Sequence, residues 1–127
     1  MKILLADDNL IMRRIIKGAA EMLGFEALEA QNGSEAIAQL RAHKEDISLI
    51  CLDWNMPTMD GYEALVHIRS NPEYADIPIL MVTTESEKKN VLKAIQAGAN
   101  NYLAKPFERE ELAKKMAECL ALEAGTE

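Results

Sequence analysis

Apolar residues recur along the chain with two alternating periods. Short β-branched or leucine-rich runs at Ile3 to Ala6, Phe25 to Ala30, Ile47 to Leu52, Ile79 to Thr83 and Tyr102 to Ala104 each have the length of a strand. Between them the spacing changes to three and four. Met12, Ile15, Ile16, Ala19, Ala20 and Leu23 form one helical face, which Gly24 ends. A second helix opens at Asn32 with Glu35 three residues later, in the manner of a capping box, and carries Ala36, Ile37 and Leu40 inward. A third runs from about Gly61 to Arg69 on Leu65 and Ile68, up to the break at Asn71 and Pro72. The fourth uses Val91, Leu92 and Ile95 and stops at Gly98, where a left-handed glycine fits. The last follows Pro106 and packs Leu112, Met116, Cys119 and Leu120.

Five alternations of strand and helix, with several strands nearly all apolar, predict an α/β fold: a doubly wound parallel sheet, (βα)5, with helices on both faces. Right-handed crossovers leave few topologies for it. In such sheets ligands sit beyond the carboxyl ends of the strands, where the winding reverses. No repeat, low-complexity tract or Pro/Gly/Ser linker interrupts the pattern, so residues 1–122 read as one domain and 123–127 as a short tail.

Composition narrows the function classes. A 127-residue chain that is 49% hydrophobic has enough apolar material for one continuous core. A net charge of -7 is the opposite of the basic footprint that a nucleic-acid backbone requires, so no direct nucleic-acid contact is expected. No apolar run reaches membrane-spanning length, and the short run at the N-terminus ends at two aspartates, which predicts a cytoplasmic protein with no membrane insertion. Cys51 and Cys119 lie within apolar patterns without metal or redox spacing and read as core residues. His43 and His67 have no partner at ligand spacing and read as surface.

The chemistry collects at the predicted strand ends. Asp7 and Asp8 follow the first strand, Asp53 the third, Thr83 ends the fourth and Lys105 follows the fifth. Each has an ordinary explanation alone: an acidic pair in a turn, a β-branched residue filling a strand, a Lys-Pro loop. If the first and third strands are neighbours, however, three carboxylates converge, which is costly unless a cation neutralises them. Carboxylate oxygens completed by water suit Mg²⁺, and Mn²⁺ could replace it. An amine and a hydroxyl beside a carboxylate and a metal describe a place for a phosphoryl group, with Asp53 as candidate acceptor.

Together with the runs Asp53 Trp54 Asn55 Met56 Pro57, Met59 Asp60 Gly61, Met81 Val82 Thr83 and Lys105 Pro106 Phe107, this pattern resembles the response-regulator receiver family of two-component systems. The resemblance covers essentially the whole chain and is strongest to the stand-alone chemotaxis receivers, including the stretch Met12 Arg13 Arg14 Ile15. It implies strand order 2-1-3-4-5 and Mg²⁺ held by Asp8, Asp53 and the Asn55 carbonyl, with Asp7 acting mainly through water. It also implies a Lys105 amine paired with the phosphoryl group, a cis bond before Pro106, and Thr83 and Tyr102 as a switch pair. The partners implied are a histidine kinase as phosphodonor and a protein effector such as a flagellar motor switch component, met by a monomer through Lys88, Val91, Tyr102 and Lys115. Side chains two positions beyond Asp53 and Thr83, namely Asn55 and Glu85, are expected to border the path of the hydrolytic water and so tune dephosphorylation.

Alternatives within the family are a phosphorelay intermediate and a phosphate sink. An Mg²⁺-dependent phosphatase with an aspartyl nucleophile needs an acid two residues later, and Asn55 stands there, so no independent enzymatic turnover is expected. A flavin or nucleotide carrier needs a phosphate-binding loop after the first strand, where Asp7 and Asp8 would repel the ligand. A pseudo-receiver scaffold would not need all five chemical residues.

Overall fold

A computed structural model describes residues 1–124. The strands are β1 (Lys2–Ala6), β2 (Glu26–Ala30), β3 (Ile47–Leu52), β4 (Ile79–Thr83) and β5 (Asn101–Ala104). The helices are α1 (Leu10–Met22), α2 (Gly33–His43), α3 (Gly61–Arg69), α4 (Lys88–Ala97) and α5 (Arg109–Ala124), with a 3-10 turn at Pro72–Tyr74. All strand pairs are parallel, in the order β2-β1-β3-β4-β5, so the doubly wound α/β sheet read from the sequence is the fold observed.

Strand alternation sorts the core into two layers. Leu4, Ala6, Ile50, Leu52, Ile79 and Met81 face α2, α3 and α4, against Ala36, Leu40, Leu65, Ile68 and Ala94. Ile3, Leu5, Leu49, Cys51, Leu80, Val82 and Leu103 face α1 and α5, against Ile16, Ala20, Leu112, Met116 and Cys119. Every residue of β3 is buried, because the central strand is covered on both sides and has no polar face to offer. Pairing of β1 with β3 skips Ser48: Lys2 lies opposite Ile47, and Ile3 opposite Leu49. This bulge turns Ile47 to the opposite layer from Leu49. Both cysteines are free and buried in the α1/α5 layer, and burial pushes the Cys119 thiol up to about 11 and Cys51 higher still, which keeps both as inert hydrophobes.

Local signals set the helix ends. Asn32 caps α2 by accepting from the Glu35 amide at 2.9 Å, but the Glu35 carboxylate reaches back to the Gln31 amide, one residue before the position a capping box uses. A complete reciprocal box instead joins Asp60 and Glu63 at the start of α3. Gly98 ends α4 at φ 117°, as its position in the pattern predicts. The last helix runs to Ala124, two residues past the expected end of the domain at Leu122; the rest of the predicted tail, 125–127, lies outside the described residues. Among the described residues no helix is long and apolar enough to cross a membrane.

Candidate functional site

Parallel strands all end at the same edge, and the winding reverses between β1 and β3, on either side of which the chain departs to opposite faces. Asp7 and Asp8 leave β1 there and Asp53 leaves β3. The Asp53 amide donates to the Ala6 carbonyl at 3.0 Å, which fixes the two strand ends side by side. Carboxylate oxygens of Asp7, Asp8 and Asp53 lie within 4.8 Å of one another. Asp7 and Asp53 are buried, whereas Asp8 is exposed at the mouth.

Lys105 enters from the end of β5, after which the bond to Pro106 is cis. Its main-chain amide donates to the Thr83 carbonyl at 2.9 Å. Its ammonium lies 2.6 Å from Asp7 Oδ2 and 3.3 Å from Asp53 Oδ2, so in this state it is held more closely by Asp7 than by the candidate acceptor. Asp7 Oδ1 accepts from the Asn9 amide at 2.9 Å. Burial nonetheless holds the Asp7 carboxyl above its usual range; the Lys105 and Asn9 hydrogen bonds pull the other way, and the neighbouring Asp53 charge adds to the rise. One ammonium therefore does not satisfy the cluster.

That imbalance is the test of whether a divalent cation fits. Three carboxylates against one lysine leave an excess of negative charge, and the oxygens of Asp8 and Asp53 open to a shared, partly solvated space. Oxygen donors with room for water are what Mg²⁺ or Mn²⁺ takes. The Asp7 oxygens are engaged at 2.9 and 2.6 Å and those of Asp53 only at 3.4 and 3.3 Å, which leaves Asp8 and Asp53 as the less tightly held donors.

Thr83 is fully buried at the end of β4, and its Oγ1 accepts from the Glu85 amide at 3.2 Å. The Glu85 carbonyl in turn accepts from the Tyr102 hydroxyl on β5, so the backbone of one residue joins the threonine to the tyrosine. Burial, with help from the Glu85 and Asp53 charges, pushes the Tyr102 phenol up to about 12 from 10.0. Its neutral form is the one the fold favours, an advantage fully present below pH 10.0 and lost as pH rises through about 12. In an ultraviolet titration of the tyrosines, a step is expected near pH 12 and should vanish in Tyr102→Phe. Survival of that step in the variant would assign it elsewhere.

Asn55 and Glu85 stand near the site without touching its acids through their side chains. The Asn55 amide approaches Asp53 Oδ1 at 3.4 Å and its side chain is exposed; Glu85 is half-buried. Lys88 is exposed on α4, Val91 and Tyr102 are half-buried on α4 and β5, and Lys115 on α5 reaches Asn101 Oδ1 at 3.4 Å. These four lie on three consecutive elements at the β5 edge of the sheet.

Three features escaped the sequence reading. Arg13 is buried and donates to the Asp7 carbonyl at 2.8 Å; its spacing of three from Ile16 and seven from Ala20 was the available signal. Gly61 lies so close to the end of β3 that an added Cβ would clash with the Asp53 carbonyl oxygen, so only glycine lets α3 start beside Asp53. Trp54 is half-buried and stacks on Tyr62 at 5.2 Å between ring centroids, and Lys93 of α4 lies 4.5 Å from the Tyr62 centroid.

Known proteins carry the same frame. The response regulator receiver domain matches residues 3–117. A chemotaxis protein CheY homolog of Campylobacter jejuni is 44% identical over 126 residues, 98% of this chain and 96% of that protein. Chemotaxis protein CheY1 of Helicobacter pylori is 44% identical over 117 residues, 91% of this chain and 94% of that protein. Among solved structures, chemotaxis protein CheY4 of Vibrio cholerae superposes with a TM-score of 0.84 at 33% identity, covering 93% of this chain and 97% of that one. With strand order, acidic cluster and sequence in agreement, the chain belongs to the response regulator receiver domain family and is homologous to the CheY chemotaxis regulators.

Proposed function

We propose that this receiver is phosphorylated on Asp53 by a histidine kinase, with Mg²⁺, and that the modification alters the partner surface formed by α4, β5 and α5. The observation that carries the reading is the convergence of Asp7, Asp8 and Asp53 with the Lys105 ammonium at the point where the sheet reverses its winding. Asp8, Asp53 and the Asn55 carbonyl would hold the ion, with Asp7 acting through water, since the Asp7 oxygens are held by closer hydrogen bonds than those of Asp53. When bound, the ion supplies positive charge for the phosphoryl oxygens. An Asp53 oxygen attacks the phosphorus of the donor's phosphohistidine and the phosphorus–nitrogen bond breaks, so the phosphoryl group moves and the imidazole leaves. Lys105 turns from Asp7 toward a phosphoryl oxygen, and the Thr83 hydroxyl donates to another.

The Thr83 hydroxyl accepts from the Glu85 amide and the Glu85 carbonyl accepts from Tyr102, so moving the hydroxyl disturbs the bond that holds the tyrosine. Two states of that short chain of hydrogen bonds are enough to alter Lys88, Val91, Tyr102 and Lys115 together. Exposed Leu92 and Ile95 on α4 add apolar area for an effector to cover. A flagellar motor switch component is the effector type we infer, from homology to the chemotaxis regulators.

Phosphotransfer from purified histidine kinases, followed by capture of effector with and without beryllofluoride, tests this reading. Beryllofluoride-dependent capture that is lost in Tyr102 or Lys115 variants is the expected result. Chemical-shift changes confined to the β2 edge of the sheet, around α1 and α2, would oppose it.

The phosphoryl lifetime is expected to be short. Water must approach in line with the bond to the Asp53 oxygen, and on this reading the exposed Asn55 and the half-buried Glu85 border that path and leave it open. A lysine at either position places a long cation over the phosphoryl oxygens. Loss of label after removal of the donor should slow by about tenfold in Asn55→Lys or Glu85→Lys. Wild-type label lasting for hours, or unchanged decay in both variants, would favour a phosphorelay intermediate or phosphate sink.

A further inference from the structure

Arg13 is an arginine on the inward face of α1, and burying a guanidinium is costly unless its donors are used. Here they are used in two directions. Nε donates to Glu29 Oε1 of β2 at 3.1 Å, and a terminal nitrogen donates to the main-chain oxygen of Asp7 at 2.8 Å. Lys17 stands 4.0 Å from the other Glu29 oxygen. The Asp7 carbonyl belongs to the rigid peptide unit that joins Asp7 to Asp8.

The two acids are otherwise held very differently. Asp7 is fully buried and its carboxylate is fixed by Asn9 and Lys105. Asp8 is exposed, and its side chain has no hydrogen-bond or ion-pair partner among the described residues. Its aim therefore depends on the backbone from which it departs: the Asp7 amide donates to the Ala30 carbonyl at 3.1 Å and the Asn9 amide to Asp7 Oδ1 at 2.9 Å, while the carbonyl of the Asp7–Asp8 peptide itself is held by the Arg13 guanidinium.

We propose that Arg13 is a positioning residue for the divalent-cation site: by fixing the Asp7–Asp8 peptide against β2 it aims Asp8 at the space shared with Asp53. The inference rests on the Mg²⁺ reading above. It makes a prediction opposite to that of simple electrostatics. A cation beside an acidic cluster opposes metal binding, so deleting it should tighten Mg²⁺ if charge alone matters. Deleting a group that orients a ligand weakens the metal instead, commonly by tenfold or more. Lysine separates the effects again, since it keeps the charge but lacks the planar fork that serves a carboxylate and a carbonyl at once.

The experiment is a Mg²⁺ titration of the whole chain by calorimetry and by Trp54 emission, on wild type, Arg13→Met, Arg13→Lys and Lys105→Ala. Circular dichroism and thermal melting are run on the metal-free proteins so that only folded variants are compared. Both Arg13 variants are expected to lose about tenfold in Mg²⁺ affinity while Lys105→Ala gains. The Asp8 amide resonance is expected to shift in metal-free Arg13→Lys, because its peptide has lost a donor. If Arg13→Met fails to fold, Arg13→Lys with its charge intact decides the question. Affinity at or above wild type in a folded Arg13 variant overturns the proposal. Absence of Mg²⁺ binding by wild type itself would instead overturn the metal reading, which is a separate result.

Discussion

Asp53→Asn is expected to abolish labelling by acetyl phosphate and Mg²⁺, a loss of at least about a hundredfold in rate. A small donor brings no protein with it, so the receiver must supply the acceptor oxygen, the ammonium and the metal ligands itself. An amide oxygen is a much poorer nucleophile than a carboxylate, and whichever way the amide is turned its NH₂ group meets a donor, the Lys105 ammonium 3.3 Å from the present Oδ2 or the Asn55 amide 3.4 Å from Oδ1. The substitution also removes one of the three charges of the cluster and should weaken Mg²⁺ binding. Because the change is nearly isosteric, the fold is expected to survive, which melting would verify. Stoichiometric label on the variant, located by peptide mapping, would move the acceptor to Asp7 or Asp8.

Lys105→Ala is expected to bind Mg²⁺ more tightly, by roughly tenfold, yet to lose the link between phosphorylation and partner affinity. The ammonium sits 2.6 Å from Asp7 and 3.3 Å from Asp53, among groups that are nearly inaccessible to water. Repulsion between it and an arriving divalent cation is therefore only partly screened. A pair of unit charges about 4 Å apart interacts by about 4 kcal/mol at an effective dielectric constant near 20. Since the hydrated ion keeps water between itself and the amine, about 1.4 kcal/mol of relief is a reasonable share, and that is the tenfold. Phosphorylated Lys105→Ala would then lack the cation that draws a phosphoryl oxygen toward β5. Unchanged Mg²⁺ affinity would place the ammonium outside the metal's field, and undiminished phosphorylation-dependent capture would remove its coupling role.

The candidate acceptor and its neighbours were legible because chemistry and pattern coincide at strand ends. A strand such as Ile47 to Leu52, apolar at every position but Ser48, reads as central, and a charged residue immediately after it stands at the mouth of the sheet. The same reasoning places Asp7 after β1 and Lys105 after β5. Strand order was not reachable in this way: nothing local in Ile3 to Ala6 says that β1 separates β2 from β3, and that order came from likeness to a family and is now observed.

Residues whose role lies in a distant contact were not legible. Arg69 looks like the ordinary basic end of α3, yet its guanidinium donates to the carbonyls of Gly98, Tyr74 and Ile77 and to the Asn100 side chain, tying α4 to the start of β4. Ser48 looks like one polar residue in an apolar strand and is the extra residue of a bulge. The Glu35 side chain passes over Asn32 to Gln31, because hydrogen bonds follow the path of the chain rather than its spacing.

By itself the sequence determined the elements, the two-sided core and the identity of the acidic, hydroxyl and amine groups, since periodicity and strand-end position are properties of the nearest few residues. Tertiary structure alone decided which groups meet: that Lys105 rests on Asp7, that Glu85 links Thr83 to Tyr102, and that Arg13 reaches back to the Asp7 carbonyl. Those contacts join residues up to 98 positions apart, and only the winding of the sheet sets the distances between them.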